Sequence, residues 1–134
     1  MLLAAMPAGA QSPTPVGVWQ DDSERILVKI APCGDLLCGK LVWLKWPDDD
    51  QGLPMIDWKN RNPALRARPL IGLTVLRGLR RTDEDTWEDG EIYDPDDGEN
   101  YHAWMSLEDD GTLHVRIYKL FPIFGETHFW TRVR

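Results

Sequence analysis

The sequence predicts an all-β fold, a single barrel of eight antiparallel strands with one long loop that carries a short helical turn. Three observations lead there. Apolar and polar residues alternate in short runs bounded by Gly, Pro, Asn and Asp; no stretch sustains a heptad; and the runs number eight. Eight strands make a barrel whose interior is filled by side chains or holds one small ligand. Closure also removes the unpaired edges that endanger a secreted sheet protein.

Taken in order, the first run is Val16 to Gln20, entered through Pro13 and Pro15. The second is Arg25 to Ala31, with Ile26, Val28 and Ile30 on one face. A turn over Pro32 to Leu37 leads into Cys38 to Lys45, where strict alternation puts Leu41 and Trp43 on a shared face. The long irregular stretch Trp46 to Arg68 follows. Within it Asn62-Pro63-Ala64-Leu65-Arg66 predicts one helical turn, with Asn62 as cap and Pro63 at the first helical position. A loop this long in a compact domain is usually functional or a lid.

Pro69 to Gly78 predicts a buried strand, because Leu70, Ile71, Leu73, Val75 and Leu76 crowd both faces. An acidic turn at Asp83 to Asp85 precedes the strand Trp87 to Tyr93, and Asp94-Pro95-Asp96-Asp97-Gly98 is a turn by composition. Tyr101 to Leu107 and Leu113 to Lys119 form the clearest hairpin, with Gly111 at the left-handed position of its loop. That register opposes Leu107 to Leu113, Met105 to Val115 and Ala103 to Ile117, all six on one face. Trp104 then opposes Arg116 on the other face and is expected to stack on it. The final strand runs from Glu126 to Val133.

The chain has 134 residues, a common size for one domain. Its net charge is −7, with 22 acidic residues against 15 basic ones. Such a surface repels phosphate backbones and anionic membranes, so no nucleic-acid partner is expected. No run approaches the ~20 apolar residues of a membrane span. Clusters such as Asp48-Asp49-Asp50 and Glu108-Asp109-Asp110 are expected to be solvated loop tips. Seven tryptophans must be core, pocket or interface.

Leu2-Leu3-Ala4-Ala5-Met6 is a short apolar run, and Ala8-Gly9-Ala10 fits a small-residue cleavage site with Gln11 as first mature residue. Residues 1–10 are therefore expected to be the remnant of an export signal, and 11–134 one barrel domain, periplasmic or secreted. No basic segment precedes the run, and a floppy cytosolic N-terminus is the rival reading; the cysteines favour export. Cys33 and Cys38 are five apart, which is neither a thioredoxin-like redox pair nor half a zinc knuckle. Oxidised, the pair would staple a tight hairpin and contribute about 2 kcal/mol; reduced, it leaves two buried thiols.

Gly17-Val18-Trp19 in the first strand and Trp130-Thr131-Arg132 in the last resemble the signature of the lipocalin and calycin superfamily. There the tryptophan closes the barrel floor beneath a late arginine. Gly17, Trp19 and Arg132 thus imply fold, not chemistry; an indole face under a guanidinium contributes about 0.5–2 kcal/mol.

A closer resemblance covers nearly the whole mature chain. It runs through Gly17-x-Trp19; Cys33-Gly34 with Cys38-Gly39; Asn62-Pro63-x-Leu65-Arg66; Arg68-Pro69-Leu70-Ile71-Gly72; Gly90-Glu91-Ile92-Tyr93-Asp94-Pro95; Gly98 and Tyr101; and Trp130-Thr131-Arg132. This linked order resembles the bacterial exported family named domain of unknown function 2147. The resemblance implies export, a lipocalin-like barrel and no settled activity. One departure is visible. A basic residue commonly follows the glycine of that family's D-P-x-x-G turn, and here the position is Glu99, which removes the basis for a basic anion contact there. The family's other glycine-bearing stretch is Tyr118-Lys119-Leu120 here.

No catalytic constellation is legible. His102, His114 and His128 have spacings of 12 and 14, unlike any compact metal motif, and are expected at the surface. Ser12, Ser23 and Ser106 lack the glycine-flanked elbow of a hydrolase nucleophile. Asp94 to Asn100 has the wrong ligand spacing for a calcium loop. No metal and no cofactor is expected.

The functional candidate is the barrel mouth, since small-ligand sites are mostly apolar with a few placed polar groups. Trp43, Trp58, Tyr93, Tyr101 and Trp104 are candidates for its walls, and Asp57, Asn62, Arg66 and Arg68 for its polar contacts. The competing structural reading has the aromatics filling the core and the arginines pairing with the excess acids. The expected function is non-enzymatic binding of a small, partly hydrophobic ligand by a monomer or homodimer. The alternative is an envelope interaction module with an aromatic surface around Phe121, Phe124 and Phe129.

Overall fold

Each strand pairs antiparallel with the next, and the last returns to the first. In the computed structural model, which describes residues 13–133, these are β1 (Gly17–Gln20), β2 (Ile26–Cys33), β3 (Leu36–Leu44), β4 (Thr74–Asp83), β5 (Thr86–Asp94), β6 (Glu99–Leu107), β7 (Leu113–Tyr118) and β8 (Glu126–Arg132). The expected signal remnant, residues 1–10, and Gln11 lie outside the described residues. β8 closes the barrel on β1 with Trp19 opposite Arg132 and Gln20 opposite Thr131.

The β6–β7 hairpin has the expected register, Leu107 to Leu113, Met105 to Val115 and Ala103 to Ile117. Met105, Leu113 and Val115 are fully buried. Trp104 opposes Arg116, but the guanidinium is committed elsewhere: it donates to Pro122 O at 2.6 and 2.9 Å and to Thr127 Oγ1 at 2.9 Å. The expected stack is replaced by these bonds.

An up-and-down meander sends alternate connections to opposite ends. The β2–β3, β4–β5 and β6–β7 turns lie at one end, the floor; the β1–β2, β3–β4, β5–β6 and β7–β8 connections ring the other, the mouth. At the floor Trp19 is fully buried and donates its indole N–H to Pro15 O at 2.7 Å. The Arg132 guanidinium lies 4.4 Å over its ring and donates to Val16 O and Thr14 O at 2.8 and 2.7 Å. The arginine thus holds the N-terminal strap across the barrel's base. Cys33 and Cys38 form a disulfide across the β2–β3 hairpin, with Cα atoms 5.8 Å apart, inside the usual range.

Two expectations are corrected. The strand expected over Pro69 to Gly78 begins at Thr74 and runs to Asp83. The apolar residues before it belong to the long loop: Leu70 N–H donates to Met55 O, Pro69 bridges Ile56, and Gly72 N–H donates to Leu41 O. Leu70 is buried because the loop folds onto the barrel, which gives an apolar run without a strand.

The second correction concerns β3. Val28 opposes Leu41 while Leu27 opposes Trp43, so Val42 is an extra residue in the ladder. A bulge of this kind flips the residues beyond it to the other face. Leu41 is therefore buried and Trp43 exposed, not on a shared face.

Candidate functional site

The lower half of the barrel is filled by Trp19, Ile30, Leu79, Met105 and Leu113, each fully buried. The upper half is not. A cavity of about 690 Å³ opens between the mouth loops, within the ~300–1,000 Å³ of small-molecule sites. Val28, Leu41, Val75, Ile92, Ile117 and Trp130 give it apolar walls from six strands. Met55 and Leu70 add the underside of the long loop.

That loop is pinned by a buried polar cluster. Asp57 is 1% exposed. Its Oδ2 accepts from Asn60 Nδ2 at 2.8 Å and from Arg68 Nε at 3.0 Å, and forms an ion pair with Arg68 Nη2 at 3.0 Å. Its Oδ1 accepts the Tyr93 hydroxyl at 2.6 Å. Both carboxylate oxygens are hydrogen-bonded, as burial of a carboxylate demands. Burial, and next the bond to Asp57, push the Tyr93 phenol up to about 12. Arg68 also lies 5.8 Å over the Tyr93 ring.

The loop is stitched to the β5–β6 turn as well. Lys59 Nζ donates to Asp96 O at 2.8 Å, and Arg61 pairs with Glu99. Gly98, at φ +72°, brings its Cα against the Lys59 carbonyl, where a Cβ would collide. Glu99, the departure noted in the sequence, also takes Lys119 at 2.9 Å, so it collects two cations of the mouth. The turn's carboxylates are used locally: Asp94 Oδ1 accepts from Asp96 N and Asp97 Oδ1 from Glu99 N, both at 2.8 Å. The Tyr101 hydroxyl donates to Asp97, and that bond, with burial second, raises its phenol to about 12.

Of the residues singled out from the sequence, Tyr93 and Tyr101 line the cavity. Asp57 and Arg68 meet behind Tyr93, outside the lining. Asn62 caps the 3-10 turn Pro63–Leu65, its side chain accepting from Ala64 N at 3.1 Å, and Arg66 Nε donates to Asn60 O at 2.7 Å. Trp58 is 58% exposed with Lys59 Nζ 5.0 Å from its ring, and Trp43 stands on the outer face. These six position the loop or face solvent; none lines the cavity.

Sequence reasoning missed Asn60, a buried amide whose Oδ1 also accepts from Asn62 N at 2.8 Å. It missed the walls from Met55, Leu70 and Trp130, for which only apolar character in the loop and last strand gave any signal. His102 and His114 pack on Tyr118 and Phe129, at 5.3 and 4.7 Å between ring centroids. His128 instead lines the cavity, with Nδ1 3.1 Å from the Asp22 carboxylate. Among the described residues no group of three His, Cys, Asp or Glu is placed to hold a metal ion, and no helix is long and apolar enough to cross a membrane.

This architecture is similar to a solved Helicobacter pylori structure, protein HP1028, described as belonging to the lipocalin family. The TM-score is 0.76 at 22% identity, over 89% of this chain and 82% of that one, a likeness of fold. No curated protein matches the sequence. The barrel, its Trp19–Arg132 floor and the Gly98 turn all fall within residues 17–132, which match the model of the family described as uncharacterized protein conserved in bacteria, domain of unknown function 2147, and the chain belongs to that family.

Proposed function

We propose that the protein is a non-enzymatic binding protein of the periplasm or the extracellular space that holds a small, partly hydrophobic ligand in the upper half of its barrel. The observation that carries this reading is the cavity of about 690 Å³, apolar in its walls and open between four loops. The Cys33–Cys38 disulfide and the export-like residues 1–10 support a location outside the cytoplasm. Membership of the lipocalin family by the similar H. pylori protein supports binding as the activity class.

The test is titration with the neutral dye N-phenyl-1-naphthylamine, whose emission rises in apolar surroundings. Saturable enhancement is expected, and it should vanish in Ile117→Trp, where the added indole occupies the cavity, while circular dichroism stays that of the parent. A dye that gives no enhancement with the parent protein refutes the reading.

A second reading rests on a separate observation. Leu120, Phe121, Ile123 and Phe124 form an exposed apolar tongue, 82, 60, 77 and 80% accessible, beside the mouth. An interaction module would use this tongue, with exposed Phe129 on β8 as a further aromatic. It predicts concentration-dependent self-association that Phe124→Ser abolishes; sedimentation showing a monomer at all concentrations removes the homodimer form of it.

A further inference from the structure

We propose that the barrel takes a cationic amphiphile: an apolar tail within the cavity walls and a protonated amine or quaternary ammonium at the mouth, facing Asp21 and Asp94. This rests on the reading of the cavity as a ligand site and specifies its ligand class.

The carboxylates do not make the site; the apolar cavity does, and they decide what its open end tolerates. Among the described residues that line that end, Asp21, Asp22, Asp94, Asp96 and Glu126 face one guanidinium, Arg25. Three of the five have local cationic or imidazole partners. Arg25 Nη2 is 3.9 Å from Asp96 Oδ2, and both side chains are largely exposed. His128 Nδ1 sits 3.1 Å from Asp22, and its Nε2 3.5 Å from Glu126, a weaker contact. Of the nearby cations, Arg61 and Lys119 are spent on Glu99 and Lys59 Nζ on the Asp96 carbonyl, and none of the three lines the cavity.

Asp21 and Asp94 are left over. Asp21 Oδ2 accepts the Ser23 hydroxyl at 2.6 Å, but Oδ1 is buried and has no hydrogen-bond partner among the described residues. Among the described residues Asp21 has no ion-pair partner, so its charge stands uncompensated in the cavity lining, and an ammonium head at the mouth supplies the counter-charge. Asp94 is partly buried, and among the described residues its carboxylate accepts one hydrogen bond, from the Asp96 backbone N–H. Burial first, then its acidic neighbours Asp97 and Asp96, hold its carboxyl above the usual range against that bond and Arg25. Such a site is starved of positive charge, so a cation is drawn in and an anion is turned away. Fatty acids, the obvious apolar ligands for a barrel, carry the wrong head.

The experiment displaces bound N-phenyl-1-naphthylamine with three decyl compounds of equal tail: decyltrimethylammonium, decanol and decanoate, all below micelle formation. The ammonium is expected to displace the dye at a concentration about tenfold below decanoate, the size of one charge-assisted contact, with decanol between them. The advantage should shrink as salt is added. It should also fall several-fold in Asp21→Asn and Asp94→Asn, with decanol unchanged and thermal midpoints confirming that both variants fold. Decanoate or decanol matching the ammonium in the parent overturns the charge preference while leaving the ligand site standing. A preference retained in full by both variants overturns the assignment to these carboxylates. A dye that never binds removes the site and this inference together.

Discussion

The Arg132 guanidinium lies 4.4 Å over the Trp19 indole while two of its nitrogens hold the carbonyls of Thr14 and Val16. One side chain thereby joins the last strand, the first strand and the strap that precedes it. Lysine has neither the planar face nor the fork of donors needed for both tasks. Arg132→Lys is expected to lose about 1–2 kcal/mol in urea unfolding, and Trp19→Ala about 3–5 kcal/mol, because it empties a fully buried site. An Arg132→Lys midpoint equal to the parent's would show that the contact is ornamental.

Tyr93 and Asp57 are 36 residues apart in sequence and share a 2.6 Å hydrogen bond. Tyr93→Phe leaves a buried carboxylate oxygen without its donor and should cost about 1–3 kcal/mol. Asp57→Ala strands the Arg68 guanidinium as well and should cost about 3 kcal/mol or more. Because the cluster pins the long loop, both variants should be cut faster by trypsin within residues 59–68. The double variant should lose less than the sum of the two, and strict additivity would mean that the two groups do not interact.

Two phenols sit near 12, Tyr93 through burial and Asp57, Tyr101 through Asp97 and burial. The ordinary value is about 10. A pKa raised in the folded state favours folding below the unfolded value and loses that contribution as pH rises through the folded one. Stability should therefore fall between about pH 10 and 12. Tyrosinate absorbance should carry a late component that Tyr93→Phe and Tyr101→Phe each reduce; a titration complete near the ordinary value contradicts this.

Gly98 and Gly111 have similar positive φ, +72° and +87°, but different surroundings. A Cβ at Gly111 meets nothing within 4 Å, whereas one at Gly98 strikes the Lys59 carbonyl. Gly111→Ala should cost only the left-handed strain, about 1 kcal/mol. Gly98→Ala should cost at least about 1 kcal/mol more and lift the long loop from the β5–β6 turn. Equal melting temperatures for the two would mean that this close approach is not maintained in solution.

The β6–β7 hairpin was legible to the residue because its two strands alternate without interruption around Gly111. β3 was not, since one extra residue at Val42 reverses the side on which Trp43 falls, and nothing local announces a bulge. The run Pro69 to Leu73 has the apolar density of a strand because it covers the mouth, and burial alone does not distinguish the two. Tyr93 and Tyr101 reach the cavity because they sit on barrel strands next to the mouth. Asp57 and Arg68 do not, because they satisfy each other first, a partnership between loop residues that no periodicity encodes. The acidic edge formed by Asp21 and Asp94 depends on the up-and-down order of the strands, which sends the β1–β2 and β5–β6 connections to the same end of the barrel.

The division of the barrel into a packed floor and a mouth built from alternate connections separates two kinds of evolutionary freedom. The four mouth connections can change in sequence while the Trp19–Arg132 clasp at the other end stays untouched. Grafting the four mouth connections of one relative onto the base of another should therefore yield a chimera that folds with the base's thermal stability, the clasp being supplied whole by the recipient.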